Sequence, residues 1–192
     1  MTSSTINPES SNTFVSTIRG HTVTGRAHSL SAWFVLSLRL MMGWAFAYSG
    51  FTKIVAAEPF DAGGYLEFSA ATNGNPLAGL FAWMGSTPWF VEFANVFVPA
   101  TQLLIGTALI LGAFVRLAAL GGAMQMMLFY LGGWTGEALA LFDSTLVYAM
   151  VFLTVAAFGA GRILGLDAYI ERLEVGGEAL IEKLPALRYL LG

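Results

Sequence analysis

Four long apolar stretches, about residues 32–55, 88–112, 114–133 and 138–163, alternate with shorter polar or glycine-rich connections. A helix needs roughly 20 apolar residues to cross a bilayer, so the pattern predicts four membrane helices. Thr87-Pro88 suits an N-cap and first-turn pair, and Gly132-Gly133 and Gly165 suit helix stops. In the long connection 56–87, Asn75-Pro76 opens the apolar run LAGLFAWM that Gly85 closes, which predicts a short interfacial helix. Residues 1–30 are rich in Ser and Thr without an apolar core and read as a polar, disordered tail. Residues 166–192 alternate apolar and charged positions at helical spacing, predicting an amphipathic tail on the cytoplasmic membrane surface or against a partner helix. The expected fold is therefore all-α, an integral four-helix membrane bundle over residues 31–165.

The polar residues inside these stretches recur at steps of three and four, which places them on single helix faces. On the first helix the seam is Arg39, Gly43, Phe46, Gly50 and Lys53. On the second it is Glu92, Asn95, Pro99, Gln102 and Gly106, and on the third Gly121, Gln125, Leu128 and Gly132. On the fourth it runs through Asp143, Val147, Met150, Thr154, Ala157 and Gly161. Small residues let helices approach and polar ones find partners there, so the seams are expected to face one another, although ordinary packing explains them equally well.

With alternating direction, Lys53, Glu92, Asp143 and, more loosely, Gln125 share the outer half of the bilayer. Lys53 then either pairs with Glu92 or Asp143, or snorkels to the headgroups. Arg39 lies in the inner third with no acid at its depth, leaving hydroxyls, carbonyls, lipid phosphate or a ligand oxygen as its partners. Trp44, Phe46, Tyr48, Tyr130 and the MQMML run offer a wall for a quinone ring, or simple lipid contact and packing.

A hydrophobic fraction of 56% against 11% charged agrees with a membrane protein. The 192 residues contain no cysteine, and both histidines, His21 and His28, precede the first helix. Thiolate metal ligands, iron–sulfur clusters and haem are therefore not expected, nor any other metal site. A net charge of −3 shows no nucleic-acid footprint. Arg19, Arg26, Arg116, Arg162, Arg172, Lys183 and Arg188 fall on one side of the expected topology, and Glu58, Asp61, Glu67 and Glu137 on the other. By the positive-inside rule both termini face the cytoplasm of a multi-pass cell-membrane protein.

The stretch RLMMGWAFAYSGFTKI resembles the first-helix signature of DoxX/DoxD-like membrane proteins. TQLLIGTALILGAFVRLAAL is similar to that family's second-helix ending, and FDSTLVYAMVFLTVAAFGAGRILGLD to the fourth helix of its DoxD-type members. The resemblance covers about residues 33–168 and implies a subunit of a thiosulfate:quinone oxidoreductase. It marks Arg39, Gly43, Gly50, Lys53 and Arg116 as family positions, with Gln102 standing where many relatives carry glutamate. An amide does not titrate, so Gln102 cannot relay protons as a carboxylate would.

The resulting expectation is a quinone-interacting subunit of a respiratory oxidoreductase. Arg39, Lys53, Glu92 and Asp143 are its catalytic candidates, and Arg39, Trp44, Tyr48, Lys53, Gln102, Gln125 and Tyr130 its quinone-binding candidates. A second subunit or another copy of the chain is the expected protein partner. The alternative is a non-enzymatic anchor or assembly subunit. A small transporter fits less well, because Gln102 is the one strongly polar group near mid-depth.

Overall fold

The computed structural model describes residues 13–72, 74–137, 142–175, 178–185 and 187–191. The chain divides after Phe34 into two units, each considered by itself.

In the first unit, β1 (Thr13–Ile18) and β2 (His21–Arg26) form an antiparallel hairpin, registered from Thr13 opposite Arg26 to Ile18 opposite His21. This differs from the disordered tail expected over 1–30 and adds β-structure to a chain read as all-α. The alternation of β-branched and small residues in TFVSTIRGHTVTGR favours strands, and Arg19 and Gly20 both take positive φ in the turn. Residues 1–12 lie outside the described residues.

The remainder is mostly helical. Among the described residues, three helices are long and apolar enough to cross a membrane: α1 (Ser31–Val55), α4 (Pro88–Leu111) and α5 (Val115–Gly133). Their bounds lie within about a residue of those expected. Thr87 is the N-cap of α4 with Pro88 at its first position, as expected, and its hydroxyl bonds back to Trp83 O at 2.7 Å.

Between α1 and α4 run α2 (Ala62–Ala71) and α3 (Ala78–Gly85). The interfacial helix expected after Asn75-Pro76 is α3. Helix α2 was not foreseen, because Gly63-Gly64 in its first turn masks a helix that Asp61 caps through the Gly63 N–H at 2.9 Å.

The fourth expected helix, 138–163, is shorter: α6 spans Ser144–Ala157, with residues 138–141 outside the described region. Asp143 is not on a seam but is its N-cap, accepting from Leu146 N–H at 2.8 Å. The buried face of α6 is Ala149, Phe152, Val155 and Ala156, whereas Val147 and Met150 of the expected seam are exposed. Polarity misled the reading: the Thr154 hydroxyl bonds Met150 O on its own helix at 2.8 Å and needs no neighbour.

The expected continuous amphipathic tail is broken into α7 (Leu166–Ile170), β3 (Glu174–Val175), β4 (Glu178–Ala179), α8 (Leu180–Lys183) and α9 (Leu187–Leu190). Strands β3 and β4 pair antiparallel. Helix α9 lies against α5 and Leu191 is buried, so this part of the tail serves the core. The core itself gathers Met42, Phe46, Leu109, Val115, Met126 and Phe152, with Phe46 and Phe152 edge to face at 4.7 Å.

Candidate functional site

Two polar groupings lie at opposite ends of α1. The first surrounds Arg39, which shares the buried face with Leu36, Met42, Gly43, Phe46 and Gly50 and is 1% exposed. Its Nη1 donates to Ala160 O at 2.5 Å and Ile163 O at 2.8 Å, and Nη2 to Leu164 O at 3.4 Å. These carbonyls follow α6, where Gly159 takes a left-handed conformation and a single 3-10 turn covers Ala160–Arg162. Arg39 therefore fastens the 3-10 turn and the residues just after it by charge-assisted hydrogen bonds to their carbonyls.

Asp167, fully buried, does the converse for α5. Its Oδ1 accepts from Phe114 N–H at 2.6 Å and its Oδ2 from Val115 N–H at 3.0 Å, while its own N–H donates to Gly112 O at 2.8 Å. Arg39 and Asp167 also interact electrostatically. Glycines make the space: a Cβ on Gly112 would meet the Arg39 guanidinium at 3.0 Å, and one on Gly161 would run into the Asp167 carboxylate. The expectation that Arg39 has no acid nearby is thus corrected. Its acid comes from α7, in the segment read as a surface tail.

The second grouping adjoins a cavity of about 830 Å³. Lys53 Nζ donates to Ser49 Oγ at 2.6 Å and Ser49 O at 3.3 Å, and sits 5.6 Å from the centre of the Phe60 ring. Ser49 Oγ in turn donates to Gln102 Oε1 at 3.2 Å. Ser49, Lys53 and Gln102 all line the cavity, as do Tyr65, Asp143 and Thr145.

The expected ion pairs of Lys53 do not form among the described residues. Glu92 is exposed on α4, and Asp143 spends its oxygens on Leu146 N–H and on the Thr145 hydroxyl at 2.6 Å. Capping a helix N-terminus satisfies a carboxylate as well as a cation does, and needs no long side chain to be ordered.

Of the remaining candidates, Trp44 and Tyr48 stack on each other at 6.5 Å on the exposed side of α1, away from the cavity. Gln125 and Tyr130 are buried but do not line it. Tyr130 stacks on Trp134 at 6.4 Å, and Gln125 Oε1 has no partner among the described residues.

Asn95 of the second seam, Asn75 and Tyr65, the last not singled out beforehand, close the Lys53 end. Asn95 Oδ1 accepts from Ala62 N–H at 2.6 Å, and Tyr65 Oη donates to Phe129 O at 2.7 Å. Asn75 Nδ2 donates to Leu131 O at 3.2 Å and Gly132 O at 3.0 Å. Asn95 thus ties the start of α2 to α4, while Tyr65 and Asn75 tie α2 and the turn before α3 onto the last carbonyls of α5. Burial pushes the Tyr65 phenol above its usual range; a hydrogen bond involving Ser69 opposes this and the Asp143 charge adds to it. The signal available in sequence was the Asn75-Pro76 pair, read as a helix start but not as a clamp.

A family model described as DoxX matches residues 34–135, which includes Arg39, Lys53, Gln102 and Arg116 but stops before α6. No curated protein and no solved structure matches the chain.

Proposed function

Because the chain belongs to the DoxX family, we propose that it is a quinone-interacting membrane subunit of a respiratory oxidoreductase, with the quinone received in the cavity beside Lys53. The observation that carries this reading is the polarity of the cavity along α1. Ser49 and Lys53 line it at one end, and Met41, Met42 and Ala45 toward the other. From residue 41 to residue 53 a helix rises about 18 Å. A quinone has the same asymmetry, a ring with carbonyl acceptors on a long apolar tail.

The residues present fit such a molecule. Lys53 Nζ and the Gln102 amide hold a ring carbonyl by donating hydrogen bonds, and Phe46, Phe60 and Met126 supply apolar wall. The quinone, when bound, supplies electron acceptance. Cysteine is missing throughout and both histidines precede α1, so the electron donor is a partner subunit or the substrate itself. Thiosulfate or a related sulfur compound is the substrate class implied by the DoxD resemblance. In this reading α6 is the fourth crossing, and both termini lie on the cytoplasmic side.

Gentle purification from the native membrane, followed by mass spectrometry of bound lipids and proteins, tests the proposal. Stoichiometric quinone with an oxidoreductase partner supports it, and Lys53→Met then lowers the quinone retained without altering the melting temperature. A chain free of quinone overturns it. One observation favours a membrane anchor or assembly subunit instead: Arg39, Asp143 and Asp167 all spend hydrogen bonds on helix ends. Recovery of a soluble partner without quinone is the outcome that reading expects.

A further inference from the structure

The polar end of the cavity has a definite sense. Lys53 donates to Ser49 Oγ, so the serine passes its own proton on to Gln102 Oε1. This sets the orientation of the Gln102 amide, with its oxygen toward Ser49 and its Nε2 left as a donor. Gln102 is 3% exposed and lines the cavity, and its Nε2 bonds no described residue. Two nitrogen donors thus flank the same serine hydroxyl, one of them cationic.

The cation has no counter-ion among the described residues. Asp143, the acid on the same cavity wall, is engaged as the cap of α6, and Glu92 is exposed and does not line the cavity. An ammonium on the wall of an apolar cavity at membrane depth is costly unless an anion joins it. A cavity-lining amide nitrogen without an acceptor among the described residues adds a smaller cost. Both costs are removed by one ligand that brings negatively charged oxygen.

The rest of the cavity suits a chain. Beyond Ser49 the α1 lining is Phe46, Ala45, Met42 and Met41, with Met126 from α5, and unbranched methionines pack readily around a flexible apolar tail. Exposed Met41, Leu128 and Tyr148, on α1, α5 and α6, also line it, so it opens sideways and an acyl chain reaches it from the bilayer.

We propose that this cavity binds a long-chain carboxylate, a single-chain anionic amphiphile whose head-group oxygens accept from Lys53 Nζ and Gln102 Nε2. The proposal rests on the reading of the cavity as an amphiphile site but does not require the quinone. The test is equilibrium binding of radiolabelled hexadecanoate to the full chain in a neutral detergent at about pH 8, where the carboxylate is ionised. Hexadecan-1-ol, of equal length and without charge, is the comparison.

The acid is expected to bind one per chain and the alcohol at least about tenfold more weakly. Lys53→Met and Gln102→Leu should each weaken the acid by about tenfold or more, while Lys53→Arg keeps most of the affinity. Thermal melting separates lost binding from lost folding in each variant. Equal binding of acid and alcohol, or an unchanged affinity in folded Lys53→Met, overturns the proposal. Quinone binding without hexadecanoate binding defeats this inference and leaves the quinone reading standing, and the opposite result does the reverse.

Discussion

Arg39 and Arg162 carry the same guanidinium and both bear on the turn after α6, Arg39 by bonding Ala160 O and Arg162 by belonging to it, yet they should respond very differently to removal. Arg39 is 1% exposed and holds the carbonyls of Ala160, Ile163 and Leu164, so Arg39→Met removes their side-chain donor and leaves the buried Asp167 carboxylate without the neighbouring guanidinium. The expected cost is on the order of 3 kcal/mol, read as a lowered melting temperature in detergent. Arg39→Lys should rescue little, because a point charge cannot serve divergent acceptors as a planar fork does. Arg162 pairs with Glu171 at 2.7 Å, and that hydrogen-bonded partner holds its guanidinium charged well beyond the ordinary range. The arginine is half exposed, so Arg162→Ala should cost less than about 1 kcal/mol and lose even that in high salt. Sequence periodicity placed Arg39 on the inner face correctly. It missed Asp167, because a residue beyond the last apolar helix carries no mark of folding back onto it.

Helices α1 and α4 meet through glycines that leave no space for a side chain. A Cβ on Gly106 would collide with the backbone of Ala47, and one on Gly50 with the backbone of Leu103. Backbone cannot step aside as a side chain can, so Gly106→Ala should part the two helices and lower the melting temperature sharply. Gly121→Ala is the control: its Cβ would meet only the end of the Ile105 side chain, at 3.3 Å, and the change should be close to neutral. These first-seam and second-seam glycines were legible from spacing alone, since Gly43, Gly50 and Gly106 recur with the polar residues of their faces. The buried face of α6 was not legible, because its packing residues Ala149, Phe152, Val155 and Ala156 are as apolar as the lipid-facing ones. Helix α2 adds a second prediction at this scale. Tyr65→Phe removes the donor to Phe129 O, and since burial raises the phenol's pKa, the bond contributes fully below the ordinary tyrosine value of about 10 and is lost as pH rises through the higher folded value. Wild-type chain should therefore lose melting temperature above that range, and Tyr65→Phe should lose less over the same interval.

At the scale of the whole membrane unit, the length of α6 and its placement point to different topologies. Helix α6 has 14 residues, which rise about 21 Å and fall short of a hydrocarbon core about 30 Å thick. Its start, however, lines the cavity that Lys53 lines, and the segment after its end supplies the carbonyls that Arg39 holds. From Asp143 to Ala160 the chain thus travels between the same two levels that α1 covers from Lys53 back to Arg39. If α6 is the fourth crossing proposed above, the connection after α4 lies on the same side as the segment after α6, and the α2–α3 region on the other. The absence of cysteine makes this directly measurable, because every introduced thiol is the sole one. Single cysteines at Gly64 and Glu67, both exposed on α2, should react with a membrane-impermeant maleimide from one face of sealed vesicles. Cysteines at Leu164 and Tyr169, exposed beyond α6, should react from the opposite face. Labelling of all four from the same face would mean that α6 turns back within the bilayer, and the three long helices would then be the only crossings.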